Sequence, residues 1–363
     1  MKRTLLSAAV ASAMLLPAAH AVDVYDDGVN TLSIGGHVSL IVGNVSWYQG
    51  AEVDTAVHGN SPRVNLGYER KLNNGYTAEL LVEQALNTRH SGNAWTTRHA
   101  SVALDHEQYG NLAIGKQWGV FYDVISVTDM PNVFPSDQLG LMSNDFLGEL
   151  SGTGSAENAL FYRNNLNLGD AGQLNFGVQW QGATSGNSWA GDYDLDNRFA
   201  VAFQYEFAGI VLGVAHTSGS FDQYFGVDTE QFGDKLESTA FAASYGSYGE
   251  GLYLATAYAM GKNLEAGHSY RNIAGDTTGF EVLGAYAWDN GWMALASYRQ
   301  LDNDGEILRL DDQTGSTSWN EQFFTAGVEK SLSENVALFG EYNHAMGDDM
   351  TDNQWAVGVR FFL

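Results

Sequence analysis

The sequence contains no cysteine. A disulfide framework and a thiolate metal site are therefore excluded. Proline occurs only 4 times against 42 glycines, so chain reversals fall to glycine-rich turns. Cations are scarce: 17 lysines and arginines stand against 43 acidic residues. That balance excludes the basic surface that nucleic acid requires, and argues against anionic lipid as a partner. After residue 21 no stretch approaches the ~20 consecutive apolar residues of a membrane-spanning helix. Strands are not excluded by this, because the alternation of about ten residues that crosses as a β-strand leaves a weaker trace. Reaction and cofactor signatures are missing as well. No H-E-x-x-H occurs and the nine histidines are scattered, so no metal site is assigned. There is no G-x-S-x-G elbow. "SGTGSAEN" (Ser151 to Asn158) is glycine-rich but lacks the lysine of a phosphate loop. "DNDGE" (Asp302 to Glu306) places its glycine too early for an EF-hand. No catalytic residue and no cofactor follow from these residues, and the expectation is a protein that is not an enzyme.

What is present begins with a leader. Lys2 and Arg3 precede the apolar "LLSAAVASAMLLPAA", and Ala19 to Ala21 ("AHA") form an A-x-A cleavage site. Residues 1–21 read as a signal peptide and 22–363 as one domain. Removing the leader removes two cations and no acid, leaving 15 basic against 43 acidic residues, a net charge of −28. A shell that acidic favours solubility, and can hold divalent cations between itself and anionic sugars.

The final residues, "WAVGVRFFL", alternate. Trp355, Val357, Val359, Phe361 and Leu363 share one parity; Ala356, Gly358, Arg360 and Phe362 share the other. In a strand successive side chains point to opposite faces. One such strand fits a soluble sandwich or a membrane barrel equally. "FAVAFQYEF" repeats the pattern, with Phe199, Val201, Phe203, Tyr205 and Phe207 opposite Ala200, Ala202, Gln204 and Glu206. Glutamate and glutamine on a hidden face would be costly in a dry core and cheap in a wet lumen. Connections then decide. Short turns such as "RKLNNGY", "NLGDAGQ" and "KSLSEN" alternate with long polar stretches near 47–61, 87–94, 117–156, 183–196, 218–237, 262–277, 301–320 and 345–354. Eight long loops and seven short turns predict sixteen strands closing as a transmembrane β-barrel. The apolar parity then faces lipid and Arg360 faces internal water. Phe161, Tyr162, Trp180, Tyr205, Phe207, Tyr258, Trp288 and Trp292 are candidates for aromatic girdles at the two interfaces.

From Val22 to Leu363 the chain resembles the general diffusion porins of Gram-negative outer membranes, trimers of sixteen-stranded barrels. The opening "VDVYDDGVNTLSIGGHVSL" resembles the family's first strand. "YGNLAIGKQWGVFYDVISVTDMPNVFPSDQLG" (Tyr109 to Gly140) is the most specific match. It resembles the strand leading into a third long loop that folds into the lumen. The resemblance implies an all-β barrel with that loop narrowing the passage. It implies a pore constriction of Arg63, Arg98 and Arg163 facing Asp129 and Asp137. Two departures stand out: Val133 occupies a position where a glutamate is common, and Pro135-Ser136 replace two glycines. The chain also ends in Leu363 where the family usually has phenylalanine.

The implied function is a water-filled channel of the cell outer membrane for small hydrophilic solutes and ions. Its implied partners are membrane lipid, lipopolysaccharide and two further copies of the chain, with no nucleic acid. A mild cation preference is expected from the acidic mouths. A solute-specific channel, such as a sugar pore, is the alternative, because Trp118, Phe121, Tyr122 and Phe134 cluster in or near the third loop. An outer-membrane enzyme and an adhesin barrel are the remaining readings. Conductance in a planar bilayer separates a channel from both.

Overall fold

A sheet edge carries a row of unpaired N–H and C=O groups, and hydrocarbon offers them no partner; a sheet closed on itself has no edge. The chain adopts this solution. The computed structural model describes residues 21–45, 54–88, 94–135, 147–188, 191–224, 233–264, 272–303, 307–309, 320–347 and 353–363. The proposed signal peptide lies, but for Ala21, outside the described residues. The wall comprises β1 (Asn30–Asn44), β2 (Arg63–Lys71), β3 (Tyr76–Leu86), β4 (Trp95–His106), β5 (Gly110–Trp118), β6 (Ser155–Asn167), β7 (Gln173–Gln181) and β8 (Arg198–Phe207). It continues through β9 (Ile210–Tyr224), β10 (Lys235–Ser247), β11 (Glu250–Lys262), β12 (Asp276–Ala287), β13 (Trp292–Asn303), β14 (Asn320–Ser333), β15 (Val336–Ala345) and β16 (Gln354–Phe362). Each pairs antiparallel with its neighbour in this order. β16 pairs back onto β1, from His37↔Phe362 to Asn44↔Trp355. The result is a closed sixteen-stranded antiparallel barrel, as the loop count predicts. The short strand Val22–Asp26 continues the same edge of β1 beyond β16, and the Leu363 N–H donates to the Gly36 carbonyl at 3.0 Å. Gly36 adopts φ +120, and a Cβ there would stand 2.2 Å from the Arg63 carbonyl oxygen, so only glycine fits this closing kink.

The two parities separate as expected. In β16, Trp355, Val357, Val359 and Phe361 are exposed while Ala356 is buried. In β8, Phe199 to Phe207 alternate outward and Ala200, Ala202 and Gln204 are buried. Facing aromatics form belts: Phe199 opposes Trp180, Phe280 opposes Tyr258, and Tyr342 opposes Trp355 towards the long connections. Tyr205, Phe207, Tyr286, Trp288 and Trp292 are exposed towards the short ones. Phe161 is the exception. It is adjacent to Tyr162, so only one of the two can point outward, and Phe161 is the buried one.

Seven turns of two to five residues join one end of the barrel, and the eight longer connections join the other. One of these, 182–197, carries a hairpin of Thr184–Ser188 with Gly191–Leu195 that pairs onto the upper part of β9. The third, 119–154, holds two short helices, α1 (Val120–Ile125) and α2 (Leu147–Ser151). Val120, Phe121, Val124 and Ile125 of α1 are fully buried in one apolar cluster with Ala113, Ala159, Ala200, Ala202, Ala215 and Ala240. Those alanines all belong to the parity opposite the apolar exterior. Small residues make the seat: a Cβ on Gly177 or Gly213 would come within 2.9 Å of Val120 or Val124 respectively. Burying four such side chains is worth about 1.5–3 kcal/mol each, enough to hold a helix too short to persist alone.

Candidate pore constriction

Strand geometry alone would not bring the wall arginines together. Counting by twos from the buried Ser101 and His99 places Arg98 on the outer parity. The β3–β4 register, however, shifts between Glu83 and Gln84: Glu83 opposes His99, Gln84 opposes Thr97, and Arg98 has no opposite residue in this pair. This bulge re-aims a side chain. Arg98 turns inward and its Nε donates to Glu83 Oε1 at 2.8 Å. Arg63, on β2, approaches the same oxygen at 3.7 Å, and His99 Nδ1 lies 3.8 Å from it. Glu83 Oε2 accepts from Asn65 at 3.5 Å. Glu83 is thus a buried carboxylate gathering two guanidinium groups, whose side chains are 22% and 12% exposed. A second bulge, between Gly115 and Gln117, does the same for Lys116, which pairs with Glu149 of α2 at 2.6 Å.

From Arg98 a packed column leads into the third connection. The guanidinium lies 5.7 Å from the Trp118 ring centre. Trp118 stacks on Tyr122, ring centres 4.0 Å apart and planes 12° from parallel. The Tyr122 hydroxyl donates to Asp129 Oδ2 at 2.7 Å. Burial, and then the Asp129 carboxylate, push the Tyr122 phenol well above its usual range, so it remains a neutral donor. Arg163 stands apart, on β6. Its Nε donates to Asp123 Oδ2 at 2.7 Å, and its terminal nitrogen to Asp123 Oδ1 at 3.1 Å and to the Trp118 carbonyl at 2.7 Å. Burial raises the Asp123 carboxyl while Arg163 pulls the other way.

Farther along, wall side chains grip the backbone. Glu341 on β15 accepts the N–H groups of Asn132, Val133 (2.9 Å) and Phe134 (3.0 Å). Arg299 on β13 donates to the carbonyls of Phe134 and Pro135. Thr128 donates to Glu281 on β12 at 2.6 Å. Val133 is buried with Ile41, Val45, Phe134, Phe339 and Ala356. It therefore anchors the segment by apolar contact where a glutamate would carry charge.

Of the residues expected at the constriction, the structure brings Arg63 and Arg98 together on one carboxylate. It places Arg163 two strands away on Asp123, and Asp129 at the end of the aromatic column. Asp137 and Ser136 lie outside the described residues. Sequence reasoning missed Glu83 and Asp123 as counter-charges. Asp123 had a usable signal, standing next to Tyr122 in the quoted "GVFYDV". Glu83, in "LLVEQAL", had none beyond its inward parity. Among the described residues, no group of three or more His, Asp or Glu side chains is arranged to hold a metal ion.

A model of the Gram-negative porin family matches residues 6–350. Outer membrane porin F of Salmonella typhi is 24% identical, over 99% of both chains. Outer membrane porin N of Escherichia coli K12 is 28% identical, over 82% of this chain and 79% of its own. Among solved structures, that of Salmonella typhi OmpF in complex with daunomycin superposes with a TM-score of 0.77 at 24% identity, covering 94% of this chain and all of that one. An anion-selective porin from Comamonas acidovorans gives 0.66 at 14% identity, covering 92% of this chain and all of that one. A family match spanning nearly the whole length meets a closed wall whose apolar face looks outward and whose carboxylates, arginines and amides look in: the chain belongs to the Gram-negative porins, channels of the outer membrane for passive diffusion of small hydrophilic solutes.

Proposed function

We propose that the third connection folds across the lumen and that Arg63, Arg98, Arg163, Asp129 and Asp137 line its narrowest level, in a general diffusion channel with a mild cation preference. The observation that carries the preference is charge balance. Among the described residues, Arg63 and Arg98 share Glu83, Arg163 is matched by Asp123, and Asp129 adds a third carboxylate. These three arginines face three carboxylates, and the neighbouring inward Arg360 has Glu329 and Glu341 as its counter-charges, so the group leaves no local surplus of positive charge. The excess acid of the rest of the chain then sets the sign. A general rather than a sugar-specific channel is favoured because Phe121 and Phe134 are buried against the wall and Trp118 is stacked on Tyr122. These rings hold the loop and offer no continuous slide. Residues 1–21 are proposed to be removed on export, and three copies to assemble in the membrane; light scattering in detergent showing only monomer mass would refute the trimer. For the channel, the deciding experiment is reconstitution in a planar bilayer with a dilute KCl gradient. Stepwise conductance with a potassium-preferring reversal potential is expected. A clear chloride preference would mean that the arginines dominate.

A further inference from the structure

We propose that Lys330, with Trp292 beside it, forms a binding site on the outer wall for the phosphate of an anionic glycerophospholipid, in the leaflet on the short-turn side. The net negative charge of the chain weighs against anionic lipid as a general partner, but a contact on one strand is set by its own neighbours. Lys330 lies on β14 between Val328 and Leu332, and alternation puts all three on the outer parity. Both apolar neighbours are exposed, at 53% and 57%. Across the sheet Lys330 stands between Trp292 on β13 and Leu338 on β15, and these are exposed too. The wall therefore carries an ammonium on its lipid face. Leu332 is one outward-facing step nearer the turn, so the ammonium sits within the interface and not beyond it. Tyr286, Trp288 and Trp292 are exposed at the same end, and aromatic belts of this kind mark the depth of the headgroups.

The site offers donors. Lys330 Nζ donates to the Asn290 carbonyl in the turn between β12 and β13, and lies 5.7 Å from the Trp292 ring centre. Gly291 leaves the room for this: a Cβ there would stand 3.2 Å from Nζ. An ammonium has three N–H groups and the carbonyl takes one of them. Trp292 adds an indole N–H, which donates and does not accept. Among the described residues no carboxylate forms an ion pair with Lys330. A ligand for this set must accept hydrogen bonds and bring negative charge. The phosphodiester of a lipid headgroup does both, and it lies at this depth. Towards the middle of the wall Ala294 opposes Val328 and Ala296 opposes Ala326 on the same outer parity. These side chains are short beside Trp292 and Lys330, so an acyl chain can lie against the sheet below its headgroup.

The experiment titrates the membrane-purified channel, in detergent, with phosphatidylglycerol and counts bound lipid by native mass spectrometry. Lys330→Gln should weaken the tightest phosphatidylglycerol site about fivefold, the fold-change of the ~1 kcal/mol that one lysine contributes at an anionic membrane surface. Lys330→Arg keeps the charge and should stay within about twofold of the parent. Arg70→Gln removes a cation from the outer parity of β2 at the same end, where Arg70 is exposed and donates to Asn30; it should leave the tightest site unchanged. Phosphatidylcholine carries its own cation beside the phosphate. It should bind the parent about fivefold more weakly than phosphatidylglycerol and should not respond to Lys330→Gln. Equal losses in Lys330→Gln and Arg70→Gln would reduce the effect to general rim charge and overturn the site. Equal affinity of the parent for the two lipids, or no loss in Lys330→Gln, overturns it as well. If Lys330→Gln does not yield a folded barrel, Trp292→Phe supplies the test. It keeps the ring, removes the N–H donor and should weaken phosphatidylglycerol about threefold, the fold-change of one hydrogen bond; no loss there overturns the proposal. The readout is bound lipid and not conductance, so the outcome is independent of the constriction.

Discussion

Arg163 cannot be both a free wall charge and the partner of Asp123. Its Nε and one terminal nitrogen are engaged by the two carboxylate oxygens, and the terminal nitrogen also serves the Trp118 carbonyl. Its side chain is 16% exposed and that of Asp123 6%. Removing one partner of so sheltered a pair leaves the other charge without compensation, a loss of about 3–5 kcal/mol in buried sites and less where water reaches. Arg163→Ala should therefore loosen α1, seen as faster amide exchange over residues 120–125. In an Asp123→Asn background the same substitution should cost at least about 1 kcal/mol less. Equal costs in the two backgrounds would show that the pair is not coupled. The reason only part of this was legible in the sequence is specific to each residue. The arginines stood out by resemblance. Glu83 did not, because an inward glutamate on a porin strand looks the same whether it faces water or two guanidinium groups. Arg98 would even have been placed on the lipid side by parity, since a bulge leaves no mark in the residues around it.

At the level of elements, the barrel was legible because period two is a local property. "FAVAFQYEF" and "WAVGVRFFL" each declare their outer face without knowledge of any neighbour, and the alternation of short and long connections declares which ends meet. Placement of α1 was not legible in that way. Its seat is assembled from single alanines and glycines on many strands, and a small residue on an inward parity carries no message by itself. The seat still makes a prediction. Gly213 faces Val124 so closely that its missing Cβ would lie 2.9 Å from a valine methyl. Gly213→Leu cannot be absorbed by the wall, whose backbone is fixed by pairing to β8 and β10. Overpacking of this kind costs about 1–3 kcal/mol and is relieved by pushing α1 away from β9. If α1 borders the passage, single-channel conductance should fall, while Val214→Leu, on the outer face, should leave it unchanged. A Gly213→Leu channel with parental conductance would place α1 away from the conducting path.

Across the whole molecule, charge is distributed by level. Near the short turns Glu107, Asp170, Glu250, Asp289 and Glu334 are exposed, and in the outer hairpin region Asp192, Asp194, Asp196 and Asp222 are exposed. Between them, Arg63, Arg98 and Arg163, the arginines proposed for the narrow level, are matched by Glu83 and Asp123. With the constriction proposed above, such a channel has two negative mouths and a nearly neutral waist. The mouths act at a distance and the waist at contact, so ionic strength separates them. The Debye length is about 30 Å at 0.01 M, about 8 Å at 0.15 M and about 3 Å at 1 M. In dilute KCl the field of both mouths spans the path to the waist, raising potassium and depleting chloride along it. In concentrated KCl each acid is screened within about one ion diameter, and only the balanced waist remains. The potassium-to-chloride permeability ratio should therefore decline steadily from about 0.01 M to 1 M and level off near unity. A ratio independent of salt would move the origin of selectivity from the mouths to the waist; one that crosses well into chloride preference at 1 M would mean that Arg63 and Arg98 outweigh Glu83 once the mouths are silent.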